Sequence, residues 1–120
     1  MSYRDAELSV LLYELKHDLG LWLRTFMPHA KVQTLADVIA FNQAHKTQEM
    51  AWFGQELFEK AQALEGGLDN PAYREALAAC VKGSRSEGLD KVFDQHRLDA
   101  LIAPTGGPAW LIDPIAGDHY

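Results

Sequence analysis

The sequence predicts a mainly α chain with one short buried strand near residues 98–103, a pattern that belongs to a piece of a larger α/β fold. Apolar residues recur at spacings of three and four through most of residues 5–95, the mark of helices with one buried stripe. The period breaks at Leu98, where Leu98, Ala100, Leu101, Ile102 and Ala103 form a nearly continuous apolar run stopped by Pro104. Such a run reads as a strand buried on both faces. One strand cannot pair alone, because its backbone N–H and C=O groups need neighbours. A full α/β domain alternates several strands with helices, so this chain is either cut from a larger protein or completes its sheet with another chain.

The first helix is expected over residues 5–26, burying Leu8, Leu11, Leu12, Leu15, Leu19, Trp22, Leu23 and Phe26, with Pro28 closing it. Gly20 lowers helix stability by roughly 1 kcal/mol against Ala, which suggests a close neighbour there. Thr34 is placed as an N-cap with Asp37 in the first turn, starting a helix over 35–44 that buries Leu35, Val38, Ile39 and Phe41. A third helix over 51–64 would bury Trp52, Phe53, Leu57, Phe58 and Ala61 and stop at Gly66 and Gly67. Asn70 before Pro71 is the clearest start signal, an N-cap followed by proline at the first helical position. The helix it opens should run over 71–94, burying Leu77, Cys80, Val81, Leu89, Val92 and Phe93, with a bend near Gly83 and Gly88. Residues 104–120, rich in Gly and Pro and without a stable period, read as loop.

Composition narrows the function classes. With 120 residues, 48% hydrophobic and 23% charged, the chain makes a single partial domain and not a disordered or coiled-coil segment. A formal charge of −6 argues against a nucleic-acid or anionic-membrane surface, either of which needs a basic patch. No apolar run approaches the roughly 20 residues of a bilayer span. Residues 1–6 (MSYRDA) lack the basic start and apolar run of a secretory signal. The single cysteine, Cys80, excludes an internal disulfide framework and fits a reducing compartment. The expected location is cytoplasmic.

Candidate chemistry is sparse. His17, His29, His45, His96 and His119 form no HxxxH or HExxH pair and have no Cys or carboxylate at zinc-ligand spacing, so no metal is expected. Cys80 falls on the apolar stripe of its helix and reads as a small buried hydrophobe. Residues 83–88 (GSRSEG) lie inside a helical pattern without the strand-to-turn context of a nucleophile elbow, so Ser84 and Ser86 read as solvated helix surface. Thr105, Gly106, Gly107 and Pro108 follow the end of the expected strand, where α/β proteins gather ligand sites. Turns at strand ends also need glycine. Trp110 beyond them is either a pocket wall or a plug over the core.

Three stretches, 34–45 (TLADVIAFNQAH), 70–80 (NPAYREALAAC) and 98–110 (LDALIAPTGGPAW), in this order and spacing, resemble the amidase signature family. Residues 11–23 (LLYELKHDLGLWL) resemble the helix that precedes the TLADVIAFN block there, so the resemblance covers nearly the whole chain. It implies an α/β/α hydrolase with a large mixed sheet that cleaves amide bonds through a serine nucleophile, a second serine in a cis peptide, and a lysine, by an acyl-enzyme route. The blocks that carry those groups lie upstream of the matched region and are not in this sequence. Ser84 and Ser86 do not match them, so no catalytic residue is carried over. By position, the resemblance implies Thr105, Gly106, Gly107 and Trp110 as lining of the amide pocket, a small amide as substrate, and no cofactor. The rival reading is a small helical interaction module that uses the 98–103 strand to complete a sheet with a partner or a second copy. A third is a stand-alone enzyme using Cys80 with one of the histidines.

Purified 1–120 is therefore expected to leave simple aliphatic and aromatic amides unhydrolysed above the buffer rate. Turnover that disappears in Ser84→Ala or Ser86→Ala would reverse this expectation.

Overall fold

Entry into the first helix is set by a reciprocal cap. The structure, a computed structural model, describes residues 2–106 together with Leu111, Ile115 and Gly117. Asp5 N donates to Ser2 Oγ at 3.2 Å while the Asp5 carboxylate accepts from Ser2 N at 3.3 Å. This capping box starts α1 (Tyr3–Phe26) two residues earlier than the apolar spacing suggests. The helix ends at Met27, ahead of Pro28.

Thr34 caps α2 (Leu35–Ala44) as expected: Asp37 N donates to its Oγ1 at 3.2 Å, and Thr34 N returns a bond to Asp37 Oδ2 at 2.9 Å. Asp37 Oδ2 also accepts from Gln33 N at 2.9 Å. These donors, the Gln33 N–H foremost, hold the Asp37 carboxyl below its ordinary pKa.

The single helix expected over 51–64 is replaced by a short α3 (Lys46–Glu49) and an α4 (Glu56–Ala63). Trp52 and Phe53 lie in the connection and are 83% and 67% exposed, not buried. Apolar spacing records a face but not a start; here the start follows Gly54 and Gln55, with Glu56 and Glu59 in the first turn. Two polar side chains hold α4 in place. Gln55, buried, donates through Nε2 to Ile39 O at 3.4 Å and accepts from Asn42 Nδ2 at 3.2 Å, tying the start of α4 to α2. Lys16 Nζ donates to Gln62 O at 3.0 Å and Leu64 O at 2.6 Å, closing the end of α4 onto α1.

Asn70 opens α5 (Pro71–Ser84) as the sequence predicts, its Oδ1 accepting from Ala72 N at 2.9 Å. Its Nδ2 reaches back to Glu65 O at 2.9 Å, across Gly66 at φ +74. The helix expected over 71–94 is interrupted by a π-helical turn (Arg85–Leu89) in which Gly88 leaves helical backbone, and resumes as α6 (Asp90–His96). Both glycines are needed sterically. A Cβ at Gly83 would sit 2.9 Å from the Tyr3 ring, and one at Gly88 would sit 2.5 Å from Gly83 O. Gly20 is different: its nearest outside atoms are the movable end of Arg24 at 3.1 Å and Gln33 O at 3.7 Å, so the close neighbour expected there is a flexible one.

The core lies where α1 meets α5 and α4, and where α4 meets α2. Its buried apolar residues are Ala6, Tyr13, Leu23, Leu35, Ala61, Tyr73 and Ala76. The Tyr13 and Tyr73 rings pack at 5.7 Å, and Tyr73 Oη donates to the Glu14 carboxylate at 2.8 Å, which raises the Tyr73 pKa. This core corrects the expected one. Leu23, Leu35 and Ala61 are buried as expected, but on α1 much of the predicted stripe stays open, with Leu8, Leu11, Trp22 and Phe26 all exposed, and on α5 and α6 so do Leu77, Val81 and Val92; Leu89 of the π turn is exposed as well. Tertiary contact within this chain selects smaller residues from a different face.

Among the described residues there is no strand. Arg97, at φ 50, ends α6, and residues 98–103 continue in irregular backbone with Ile102 98% exposed. Among the described residues the expected strand has no ladder partner. The radius of gyration is 18.7 Å, against roughly 14 Å for a compact domain of this length.

Asn70→Ala is expected to destabilise the chain by about 1 kcal/mol, and Gly88→Ala by at least that much because Gly83 O cannot move without breaking the π turn. Ser84→Ala, which loses only a 3.3 Å bond to Val81 O, should change the melting midpoint least of the three. Asp37→Asn tests the second cap through pH. A carboxyl with a lowered folded pKa stabilises fully above its unfolded value and loses that contribution as pH falls through the folded one. The midpoint difference between wild type and variant should be largest near neutrality and close below pH 3.8. Circular-dichroism melts across the acid range measure it.

Candidate functional site

Of the four residues that the sequence places at the end of the expected strand, Thr105 and Gly106 are exposed in irregular backbone, and a Cβ at Gly106 would meet nothing within 4 Å. Gly107 and Trp110 lie outside the described residues.

Two concavities lie elsewhere. One, of about 400 Å³, opens between α1, the start of α2 and residues 62–67, with Tyr13, Lys16, His17 and Arg24 on its α1 wall. Three of its polar groups are already engaged. The Lys16 ammonium is bonded to two backbone carbonyls, His17 Nδ1 faces Asp18 Oδ1 at 2.7 Å, and Thr34 Oγ1 donates to Asp37 Oδ2 at 2.8 Å. The Thr34 hydroxyl is thus held as a helix cap, its proton on the Asp37 carboxylate that also accepts the Gln33 and Thr34 N–H groups.

The other concavity, of about 540 Å³, lies against the π turn and includes Gly83, Ser84, Gly88, Val92 and Leu101. Here the serines of GSRSEG are placed. Ser84 Oγ donates to Val81 O and Ser86 Oγ to Lys82 O, both at 3.3 Å. Exposed ion pairs flank them: Lys82 with Glu87 at 2.8 Å, which raises the Lys82 pKa, and Arg85 with Asp90 at 3.2 Å. Ser86 is surface, as expected, while Ser84 is half-buried. The segment's role is to break the helix, a role that the pair of glycines signalled and the serines did not.

Cys80 is half-buried on α5 and unpaired. His45 stacks on Phe41 at 4.1 Å between ring centroids, with Nδ1 2.9 Å from Phe41 O, and serves the end of α2. Among the described residues no three His, Cys, Asp or Glu side chains converge as a metal site, and no helix is long and apolar enough to cross a membrane. His119 lies outside the described residues. Sequence reasoning missed Gln55 and Lys16. A glutamine between exposed Gly54 and Glu56 carries no local sign that it will be buried, and Lys16 looks like any solvated charge.

The blocks at 34–45 and 70–80 form α2 with its cap and the first turns of α5, so most of what resembles the amidase signature family builds helices and not a catalytic centre. No family model matches the chain. A probable amidase of Arabidopsis thaliana is 34% identical over 99 residues, 82% of this chain and 19% of that protein. The peptide amidase of Stenotrophomonas maltophilia superposes with a TM-score of 0.80 at 45% identity over 90% of this chain. A peptide amidase structure in complex with the competitive inhibitor chymostatin superposes with a TM-score of 0.84 at 44% identity over 97% of the chain. The chain is homologous to a segment of an amidase. It spans about a fifth of the length of these relatives. The amidase segment it matches is mainly helical, as this chain is.

Proposed function

We propose that residues 1–120 form the helical region, and the loop that follows it, of an amidase that hydrolyses a carboxamide C–N bond through a serine acyl-enzyme. The observation that carries this is the joint match of sequence and backbone: 45% identity with a TM-score of 0.80 to a peptide amidase. The serine nucleophile, second serine and lysine belong to the four-fifths of the enzyme outside these residues. In the complete enzyme, serine attack on the carbonyl is followed by departure of the amine and hydrolysis of the acyl-enzyme by water, with backbone N–H groups holding the oxyanion. The reaction requires no metal or organic cofactor.

In that setting residues 98–103 join the mixed sheet of an α/β/α fold, which supplies the backbone partners they lack here. Thr105, Gly106, Gly107 and Trp110, at the end of that strand, line the amide pocket. Their side of the reaction is shape: glycines let a substrate chain approach the backbone, and an indole offers a flat apolar wall. The substrate is a small amide, and because a similar peptide amidase binds chymostatin, a peptide-like amide is the first class to test. The enzyme works in the cytoplasm.

The test replaces the matching segment of the Stenotrophomonas maltophilia peptide amidase by residues 1–120. The graft should hydrolyse the host's amide substrate with kcat/KM within about tenfold of the host, a change of ~1.4 kcal/mol in barrier. Trp110→Ala in the graft should raise KM more than it lowers kcat. A graft that melts like the host yet turns over no amide would falsify this reading.

A further inference from the structure

We propose that the apolar face of α1, centred on Leu11, Leu15, Trp22 and Phe26, is the surface on which the remaining body of the amidase docks; this rests on the functional reading above. α1 carries two distinct packing faces. Ala6, Tyr13 and Gly20, spaced by seven, share the buried face, with Tyr13 on Tyr73 of α5 and Gly20 facing Gln33 O ahead of α2. The leucine and aromatic stripe lies roughly 170° around the helix, at about 100° per residue. It stays open, with Leu11 56%, Trp22 50% and Phe26 69% exposed. Trp22 and Phe26 pack on each other at 5.6 Å between centroids, and a shallow groove of about 430 Å³ runs between Leu11, Leu15, Leu19 and Trp22, edged by Glu14 and Asp18. A contiguous apolar patch of this kind marks an interaction surface.

The chain exposes more surface than a folded protein of its mass. The chain exposes 9702 Å², where a folded 13.4 kDa protein exposes about 6,500 Å². The excess surpasses the share one partner contributes to an ordinary interface. The amidases that match this chain are four to five times longer, so their fold has the mass to cover it. A second copy fits less well. In a twofold pairing of α1 faces, the Glu14 and Asp18 edges of a chain with net charge −6 would meet their like, which opposes association.

The paired substitutions Leu11→Gln and Trp22→Gln are made in isolated 1–120 and in the peptide amidase graft. In the isolated chain they should leave helix content and melting midpoint unchanged and reduce association seen by light scattering, because both side chains already face water. In the graft they should cut soluble yield several-fold or lower the midpoint by more than about 10 °C, as expected for large apolar groups lost from a buried contact. A substituted graft with host-like yield and midpoint overturns the docking face while leaving the amidase reading intact. Unfolding of isolated 1–120 by the pair would place these residues in the chain's own core and overturn it too. A discrete dimer of 1–120 that the pair converts to monomer would assign the face to a second copy. Failure of the unsubstituted graft to fold or turn over would sink the amidase reading and this proposal together.

Discussion

The division of α1 into two faces governs everything else in the chain. Ala6 offers almost no side chain and Gly20 none, so neighbouring chain can lie close, the Gln33 backbone at Gly20, and Tyr13 packs its ring on Tyr73 of α5. Had the leucine stripe faced inward, as its period invites, the same helices would stand farther off and the Lys16 ammonium could not reach the end of α4. The smaller face forms the internal core. The larger one is left for something outside the chain.

Among the described residues, a core of seven apolar residues, three of them alanines, leaves the helices to be located by polar contacts. Gln55 fixes the start of α4 to α2, Lys16 fixes its end to α1, and Asn70 fastens the Gly66 turn to α5 while capping it. Lys16 and Asn70 use backbone carbonyls or N–H groups that helix ends leave unpaired, while Gln55 bonds to Ile39 O inside α2 and to the Asn42 side chain. Net gains of such bonds are modest, but leaving their partners buried and unmade is costly. The arrangement of α2, α4 and α5 is therefore set more by where helix ends find partners than by apolar area.

This explains which parts of the fold were legible in the sequence. The caps at Thr34 and Asn70 and the break near Gly83 and Gly88 were readable because each depends on residues within a few positions of one another. The face of α1 that would be buried was not, because period identifies an apolar stripe without saying which molecule covers it. Trp52 and Phe53 misled for the same reason. At the candidate site, Thr105 and Gly106 lie in irregular, exposed backbone, and a pocket is built by side chains from several elements, which the local pattern of a loop does not record.

The run from Leu98 to Pro104 shows how such a dependence is written into local structure. The left-handed Arg97 turns the chain out of α6, and Leu98 N donates to Phe93 O at 3.0 Å, so the segment leaves the helix in a fixed direction. Leu101 then leans over the π turn beside Leu89 and Val92, while Ile102 next to it faces solvent. Leu101 is 49% and Ile102 98% exposed, so among the described residues the segment is covered in part by α6 and otherwise open. The backbone groups along the open side can be satisfied by water here, but a row of apolar side chains beside them cannot. A segment so poised gains most when a neighbouring strand supplies both hydrogen bonds and apolar cover at once, and the same partner that covers the stripe of α1 is the economical source of that strand.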